Sequence, residues 1–311
     1  MYFNIQEAIT AMQRKKVGWK APLMILLALL LLFQIGDLVY LTYFDTSGCR
    51  LPVLMYHHFV DAEESSEGTI VTTSRFREQM TALKEAGYQT VTIPQIIDYV
   101  ENGAALPRHP VLITMDDGYG SNLTEAAPIL EELGMCATIF VIGINEGEEY
   151  YPHSGEPMWQ ERFAFEKAAP WVEKGVIDVQ SHTYDMHQLA SYGYSGRDGV
   201  RRLDGENDAD YRQALLSDTE AFRQRREGRV ATELLALAYP FGYYTQEADQ
   251  LLKEAGYAAT FTIDERPNWL QVGDGSCLRM MGRFNVTDGC SGEDLVSRVN
   301  RYSGRFYMKN N

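Results

Sequence analysis

Cysteine, histidine and positive charge are all scarce in this sequence of 311 residues. The four cysteines show no Cys-x-x-Cys spacing, which argues against a disulfide-built scaffold and against a cysteine zinc site. The 28 Lys and Arg side chains are outnumbered by 43 Asp and Glu, giving a formal net charge of −15. Nucleic acid is therefore not expected as a partner, because binding it requires basic groups that neutralise phosphate. An uncharged sugar polymer remains compatible with this composition.

The first 45 residues differ in charge from the rest of the chain. They hold four of the basic and three of the acidic side chains, so the remainder carries a net charge of −16. A basic cluster at 14–20 precedes an apolar run at 21–36, and residues 38–44 are again apolar and aromatic. The whole span 21–44 is long enough to cross a bilayer.

This layout predicts a single-pass protein of the cell membrane. The basic flank places a cytoplasmic N-terminus at 1–20, a transmembrane signal anchor at 21–44 and an extracytoplasmic domain at 45–311. A cleaved signal peptide and a buried core helix are the two alternatives, and the sequence leaves the question of cleavage open.

A short pattern that ends in glycine occurs three times, at Gly87, Gly134 and Gly256. Each copy has Leu and Glu before the glycine and a β-rich run after it. Glycine after the last helical turn commonly adopts the left-handed conformation that ends a helix. Each copy therefore predicts a helix followed by a strand, and Ser74 is the expected N-cap of the first helix.

Apolar runs and amphipathic segments alternate along the outer domain. Strands are predicted at 52–56, 89–93, 111–115, 137–142, 176–180, 234–239, 258–263 and 278–281. Further helices are predicted at 94–102, 124–133, 210–226, 246–255 and 291–302. The alternation predicts a parallel sheet covered by helices, and seven or eight such units favour a β/α barrel. Residues 144–172 and 191–209 fit no unit and are interpreted as surface loops.

Polar residues cluster where four predicted strands end. Asp116 and Asp117 follow one strand, and His182 and His187 follow another. Further clusters are the pair at 57–58 and the Ala-Tyr-Pro-Phe-Gly run at 238–242. Alone, each has an ordinary explanation as a turn or as surface histidines. In a parallel barrel, however, all the strand ends open on one face, and an Asp with two His suits a divalent transition metal.

Three of these runs resemble the motifs of the polysaccharide deacetylases, the NodB-homology domain of carbohydrate esterase family four. The Thr-Met-Asp-Asp-Gly run at 114–118 is similar to the family's Thr-Phe-Asp-Asp-Gly motif. The run from Ser181 to His187 is similar to its His-Ser/Thr…His motif, and 239–242 is similar to its Pro-Tyr/Phe-Gly motif. The resemblance spans roughly 50–290 and implies an α/β fold, a distorted (β/α) barrel of parallel strands.

The resemblance also implies an activity, the metal-dependent removal of N-acetyl groups from polymeric N-acetylhexosamines. By this resemblance Asp117, His182 and His187 bind the metal and Asp116 is the general base. A divalent metal suits an amide substrate because it polarises the carbonyl and lowers the pKa of bound water. Zinc is the first expectation, with nickel, cobalt and iron as alternatives. A backbone N–H at Phe241 is placed to help hold the oxyanion.

The chain departs from the family pattern at three points. Ala238 stands where the family usually has an arginine that orients the catalytic Asp, and the histidine spacing is five rather than four. The C-terminal Leu-x-His motif that usually carries the general acid is absent, because every histidine precedes residue 188. These departures resemble the branch of biofilm poly-N-acetylglucosamine deacetylases, as does the Met-Tyr-His-His run at 55–58. We therefore expect His57 to line the site and to supply the missing acid.

The expected substrate is an N-acetylglucosamine polysaccharide of a cell wall or an exopolysaccharide, bound by Tyr119, Pro240 and Tyr243. A non-catalytic glycan-binding protein of the same fold and an O-acetyl esterase acting on a xylan-like polymer are the alternatives. The partners expected are the glycan and the membrane, with no nucleic acid. Whether Cys277 and Cys290 form a disulfide is left open, because sequence alone does not show proximity.

Overall fold

The computed structural model describes residues 29, 31, 32, 48–61 and 68–303. Residues 1–48 and 49–311 form two units, and the fold below is that of the second. The predicted anchor at 21–44 lies outside the described residues, apart from the exposed helical residues Leu29, Leu31 and Leu32. Within the ranges that the structure describes, no helix is both long enough and apolar enough to span a bilayer.

The apolar runs of the second unit form short strands. In chain order they are β1 (Cys49–Leu51), β2 (Val53–Tyr56), β3 (His58–Val60), β4 (Ile70–Thr72), β5 (Gln89–Thr90), β6 (Pro110–Asp117), β7 (Ala137–Val141), β8 (Ile177–Ser181), β9 (Ala236–Ala238), β10 (Ala259–Phe261), β11 (Asn268–Leu270) and β12 (Phe284–Asn285). The main sheet has the order β10-β9-β8-β7-β6-β2-β12, with β5 beside the start of β6. All neighbours in this sheet are parallel, as the sequence predicted.

Helices cover the sheet, and all but α4 lie where amphipathic segments were predicted. They are α1 (Thr73–Glu85), α2 (Ile93–Asn102), α3 (Ala127–Leu133), α4 (Phe165–Glu173), α5 (Asp208–Arg226), α6 (Gln246–Glu254) and α7 (Gly292–Tyr302). The repeated glycine pattern is confirmed, because Gly87, Gly134 and Gly256 have φ angles of +81°, +65° and +98° after the ends of α1, α3 and α6. Side chains with a β-carbon rarely adopt this region, whereas glycine enters it freely.

The two faces of the sheet bury separate apolar clusters. Alternate strand residues such as Leu54 and Ile113 contact the covering helices. Their sequence neighbours Val53 and Leu112 point to the opposite face, where they pack with residues such as Phe261. A strand buried on both faces is apolar throughout, which is why these strands read as continuous hydrophobic runs.

The sheet curls until one segment joins its two edges. Met281 pairs in parallel with Phe261 of β10, and three residues later Phe284 pairs with Leu54 of β2. The result is a curled, barrel-like α/β fold of parallel strands. The segment from Met281 to β12, which includes Gly282, is therefore the closure of the sheet.

Several predicted boundaries were wrong. The strand expected at 278–281 is instead the end of a 3-10 turn, Gly275–Leu278, and the pairing moves to Met281 and β12. Residues 144–172, which the sequence assigned to a surface loop, contain most of α4 (Phe165–Glu173). The N-cap of α1 is Thr72 rather than Ser74, because the Thr72 side chain accepts a hydrogen bond from the Arg75 N–H. Short-range patterns specify that an element exists better than they specify its ends.

The four cysteines are free thiols in this structure. Cys277 packs beside the cluster on one face of the sheet and Cys290 beside the cluster on the other. The two residues therefore do not form a disulfide here.

We predict that Gly282→Ala destabilises the closed sheet. A β-carbon at residue 282 would lie 2.6 Å from the carbonyl oxygen of Asp264 and 2.8 Å from that of Arg266, closer than real contacts allow. Overpacking of this kind typically costs about 1–3 kcal/mol. The free energy of unfolding, measured by urea denaturation, checks this loss.

The matched control is Gly275→Ala, since a β-carbon at Gly275 meets no atom within 4 Å. If the two variants unfold at the same urea concentration, the predicted clash of a β-carbon at residue 282 with the carbonyl oxygens of Asp264 and Arg266 does not occur.

Candidate metal centre and adjoining cleft

The predicted site residues follow the C-terminal ends of neighbouring strands. Asp116 and Asp117 end β6, His182 follows β8 and His57 follows β2. Phe241 lies in a 3-10 turn that comes shortly after β9. Because these strands are parallel and close together in the sheet, their ends lie on one side of it. The four clusters that the sequence placed at strand ends are thus brought to the same side of the fold.

Asp117, His182 and His187 place their potential ligand atoms within 4.8 Å of one another. The Nε2 atoms of His182 and His187 lie 3.6 Å and 3.5 Å from Asp117 Oδ1. His182 Nδ1 lies 2.8 Å from the carbonyl oxygen of Ala238. A carbonyl only accepts, so Nδ1 donates this hydrogen bond and Nε2 is left with its lone pair toward the cluster.

The charges at this cluster also suit metal binding, which requires an ionised carboxylate and neutral imidazoles. Burial by itself would raise the pKa of Asp117. Nearby groups that are positive when protonated have the larger effect and hold this pKa well below its usual range; they are His187, His57, His182 and Arg162. Burial lowers the pKa of His187 to about 4. Near neutral pH the carboxylate is therefore ionised and His187 is neutral. One carboxylate and two imidazoles leave coordination positions open, which is the arrangement of catalytic rather than structural sites.

The five-residue spacing of the histidines is accommodated by a non-helical turn around Asp218 of α5. The Asp218 carboxylate accepts hydrogen bonds from the N–H groups of Tyr184 and Asp185, at 2.8 Å and 2.7 Å. Thr183, next to His182, adopts a left-handed backbone with φ of +68°. On an ideal helix the two histidines would diverge, so this turn is what brings both rings to Asp117.

Backbone strain is concentrated around the cluster. Among the residues described, four that are not glycine have a positive φ, and three of them are Asp117 (+73°), Thr183 (+68°) and Phe241 (+55°). The fourth, Met280 (+52°), precedes the segment that closes the sheet. Such conformations persist only where surrounding contacts enforce them, and they are frequent at functional sites.

Asp116 is held by Arg283, a residue that the sequence did not single out. The guanidinium donates from Nη1 to Asp116 Oδ1 and from Nη2 to Oδ2, both at 2.7 Å. Arg283 is fully buried and Asp116 is 2% exposed. Burial tends to raise the pKa of Asp116, but the charge of Arg283 and its hydrogen bonds hold it below its ordinary value, with help from His182 and His57. Asp116 is therefore an ionised acceptor in a fixed orientation.

Arg283 fills the role that Ala238 leaves vacant relative to the family pattern. Arg283 lies in the segment that closes the sheet, 167 residues along the chain from Asp116. In the sequence, the only signal for Arg283 was a basic residue between Gly282 and apolar neighbours. This signal does not indicate that Asp116 is its partner.

His57 lies among these charged groups, and the next residue turns away. Burial lowers the pKa of His57 despite the opposing effect of the Asp116 and Asp117 charges. Its Nδ1 is buried and makes no hydrogen bond. By contrast, His58 Nδ1 lies 2.8 Å from the Ser121 hydroxyl. Of the neighbouring pair, His57 is thus the one beside the two carboxylates.

The three residues predicted to bind substrate have different surroundings. Tyr119 is 7% exposed, with the Arg162 guanidinium 3.7 Å from its ring centroid. Pro240 is buried. Tyr243 is partly exposed and has the Arg201 guanidinium 4.2 Å from its ring centroid. Tyr119 and Pro240 are thus largely covered by the protein, whereas Tyr243 is partly open to solvent. Substrate binding by all three residues stays a prediction.

A cleft of about 470 Å³ opens beside the cluster and reaches Asp117 and His187. Its other walls come mainly from residues 142–162 and 185–194. Much of this lining lies in segments that the sequence treated as surface loops. Their richness in aromatic residues was the signal available, but their place at the metal cluster required the structure.

The sequence profile of the polysaccharide deacetylase family matches residues 103–260, half of the chain. Together with the fold and the cluster at the strand ends, this match identifies the chain as a member of the polysaccharide deacetylase family.

Individual relatives agree with this family. The chain is 26% identical over 227 residues to the poly-β-1,6-N-acetyl-D-glucosamine N-deacetylase of Escherichia coli K12, covering 68% of this chain and 33% of that protein. It therefore spans about a third of the length of that relative. The enzyme of the same name from Staphylococcus aureus MRSA252 is 23% identical over 209 residues, or 67% of this chain and 66% of its own. The structure of IcaB from Ammonifex degensii superposes with a TM-score of 0.65 at 26% identity, covering 81% of this chain and 98% of that one.

We predict that Asp218→Asn weakens metal binding. The change removes the charge that anchors the turn between His182 and His187 and places an NH₂ group close to backbone N–H donors. Loss of an outer support of this kind typically reduces metal affinity by about 10–100-fold. Competition of the protein with a chelator for Zn²⁺ measures the affinity.

Asp210→Asn, on the exposed part of the same helix, is the matched control and keeps the wild-type affinity. Wild-type affinity in Asp218→Asn as well would rule out a positioning role for Asp218.

Proposed function

We propose that this protein is a metal-dependent hydrolase that removes N-acetyl groups from a poly-N-acetylglucosamine polysaccharide and releases acetate. One observation carries the proposal: an ionised carboxylate, Asp116, is fixed by Arg283 directly beside the cluster of Asp117, His182 and His187. The names of the E. coli and S. aureus relatives support the choice of substrate.

Asp117, His182 and His187 would hold one divalent metal ion, with zinc first and nickel, cobalt or iron as alternatives. When bound, such an ion supplies Lewis-acid polarisation of the amide carbonyl and a lowered pKa for a water molecule. The protein's own contribution is to keep Asp117 ionised and His187 neutral, and to place the potential ligand atoms of all three residues within 4.8 Å of one another.

Asp116 is the proposed general base. Its two oxygens are fixed by the forked guanidinium of Arg283, so it does not have to be oriented when a proton is transferred. It is ionised at neutral pH and therefore accepts a proton from the attacking water. The anchored carboxylate thus supplies the base function that the family resemblance assigns to this position.

His57 is the proposed donor of a proton to the departing amine. It starts neutral, because burial lowers its pKa, and the nearby Asp116 and Asp117 charges favour its protonated form. The ring can therefore receive the proton that Asp116 takes from the attacking water and pass it to the departing nitrogen, so that the same proton is used in both steps. The left-handed turn at Phe241 offers a backbone N–H for the oxyanion.

The N-terminal segment is proposed to anchor the domain on the outer side of the cell membrane. Support comes from the basic cluster at 14–20 followed by the apolar span 21–44. Recovery of the full-length chain in washed membranes is the measurement that checks it, and recovery in the soluble fraction would contradict it.

We predict that Asp116→Asn lowers acetate release from β-1,6-linked N-acetylglucosamine oligomers by about 10²–10⁴-fold, the usual contribution of a general base. Asparagine has nearly the same shape but does not accept the proton. Acetate is measured by an enzyme-coupled assay, with metal content and thermal unfolding recorded on the same samples because Arg283 loses its charged partner.

Asp98→Asn, exposed on α2, is the control and retains activity. Unchanged turnover in Asp116→Asn would exclude the base. If the metal-loaded wild type releases no acetate from any acetylated glycan, the protein is instead a glycan-binding protein. If it releases acetate only from acetylated xylan, it is an O-acetyl esterase.

We predict that His57→Ala lowers kcat by about 100-fold or more while the metal stays bound. His109→Ala serves as its control, since residue 109 directly precedes β6, at the opposite end of that strand from Asp117. The two variants are compared by acetate release and by metal content. If His57→Ala turns over as fast as the control, another group supplies the proton.

A further inference from the structure

We propose that the loop 197–206, which is closed by a buried ion pair between Arg197 and Glu206, holds the turn of Phe241 in the position that the oxyanion requires. Arg197, Glu206 and Gly199 are then positioning residues, which act through Phe241 rather than on the substrate. This inference rests on the proposed function and extends it to a loop between the family's motifs at 181–187 and 239–242.

The turn that carries Phe241 has a backbone conformation that needs support from its surroundings. Phe241 has a φ of +55°, in the left-handed region. The Gly242 N–H donates to the Tyr239 carbonyl at 2.9 Å. The Tyr243 N–H donates to the Pro240 carbonyl at 3.0 Å. Such short-range bonds also form in turns without a left-handed residue, so contacts from elsewhere in the fold have to enforce this conformation.

Gly199 of the loop packs directly against this turn. A β-carbon at residue 199 would lie 3.2 Å from the carbonyl oxygen of Pro240 and 3.3 Å from Cβ of Tyr243. The two segments therefore approach each other with no side chain of residue 199 between them. Gly199 has a φ of +57°, a conformation that glycine adopts without strain. The loop thus contacts the turn on both sides of Phe241.

The same glycine is tied to the segment that follows the histidine turn. The Gly199 N–H donates a hydrogen bond to the carbonyl of Gln188 at 2.9 Å, and Gln188 directly follows His187. The ring centroids of His187 and Phe241 are 4.3 Å apart. Gly199 therefore links the Phe241 turn to a residue of the proposed metal site.

A bidentate ion pair fixes the shape of the loop. Arg197 donates to the two carboxylate oxygens of Glu206, at 2.6 Å and 3.0 Å, and the two side chains are only 8% and 10% exposed. Arg197 also donates to the carbonyl of Arg201 at 2.6 Å. Glu206 accepts from the Leu203 N–H at 3.0 Å. Because a buried charge that loses its partner is costly, we expect removal of either partner to open the loop.

Further contacts join the loop to a helix and to the turn itself. The hydroxyl group of Tyr211, on α5, donates to the carbonyl of Val200 at 2.8 Å, and both residues are fully buried. The guanidinium of Arg201 lies 4.2 Å from the ring centroid of Tyr243. The loop is therefore fixed to α5 and also contacts the Phe241 turn.

The placement of the turn matters because the Phe241 N–H is the proposed donor to the oxyanion. A donor of this kind lowers the barrier most when it already points to the place where the charge develops. Among the described residues that line the cleft at Asp117 and His187, neither Arg197 nor Glu206 occurs. Their contribution to the reaction is therefore indirect, and consists in holding the donor in place relative to the histidine turn.

The test uses the full-length, metal-loaded protein and two variants that disturb the loop in different ways. Arg197→Gln removes the charge that pairs with Glu206, and Gly199→Ala places a β-carbon against the carbonyl of Pro240. In both, kcat for acetate release from β-1,6-linked N-acetylglucosamine oligomers falls about tenfold and KM changes by less than about twofold, because a misplaced donor loses part of its stabilisation of the transition state. Arg197→Lys, which keeps the charge, recovers part of kcat.

A second measurement separates positioning from a merely structural role. An oligomer whose reacting acetamide is replaced by a methylphosphonamidate presents the tetrahedral, anionic shape of the transition state. Each of the two variants binds this analogue about tenfold more weakly, but binds the unmodified oligomer and Zn²⁺ as the wild type does. A merely structural role would lower the temperature of unfolding and leave the ratio of the two oligomer affinities unchanged.

Arg77→Gln is the matched control, because it breaks an exposed ion pair with Glu132 between α1 and α3. It keeps the wild-type kcat and the wild-type affinity for the analogue. If Arg197→Gln and Gly199→Ala also keep both values, the positioning role is overturned while the proposed hydrolysis is unaffected.

Amide hydrogen exchange of residues 239–244 tests the support of the turn without catalysis. We expect faster exchange there in Arg197→Gln than in wild type, and no change in Arg77→Gln. If wild type releases no acetate, the proposed hydrolysis is wrong and the exchange alone decides whether the loop holds the turn. Faster exchange in Arg197→Gln then supports this contact, and unchanged exchange overturns it.

Discussion

The ion pair between Asp116 and Arg283 is the interaction on which the arrangement of the site depends. Both groups are removed from water, which is costly unless every polar atom is satisfied. Here both carboxylate oxygens receive a hydrogen bond from the guanidinium, whose Nε also donates to the carbonyl of Thr262 at 2.9 Å. The pair therefore links β6 to the segment that closes the sheet and to the residue after β10. A sheet that failed to close would lose this two-pronged contact between Arg283 and Asp116.

The neighbouring cluster of Asp117, His182 and His187 is also held in place by residues that are distant in the sequence. Asp117 belongs to β6, whereas the two histidines lie on a turn whose backbone is held by Asp218 of α5. Left-handed conformations at Asp117 and Thr183 are unfavourable for side chains that have a β-carbon. They are maintained because the sheet and α5 fix the backbone on either side. The strain is offset by the fold as a whole, and the potential ligand atoms of Asp117, His182 and His187 come within 4.8 Å of one another.

The loops that wall the cleft place side chains of their own beside the residues at the strand ends. Binding residues often lie on loops that a rigid scaffold positions, and here the parallel sheet is that scaffold. In this chain the loops supply aromatic rings, a stacked His153–Tyr194 pair and the buried carboxylate of Glu146. The acidic surface charge belongs to the solvated exterior, and the carboxylates that matter for the proposed reaction are the few that the fold pairs or buries.

The sequence by itself determined the alternation of strands and helices, the glycine-terminated helix ends and the four polar clusters at strand ends, because each depends on contacts between residues near one another in the chain. It also identified the family through ordered motifs. Only the tertiary structure decided that Arg283 replaces the arginine missing at Ala238, that Asp218 shapes the histidine turn and that two loops form one cleft. These depend on contacts between residues tens to more than a hundred positions apart, which local periodicity does not encode. The strand predicted at 278–281 was misplaced for the same reason, because the pairing of Met281 and β12 is with strands distant in the sequence.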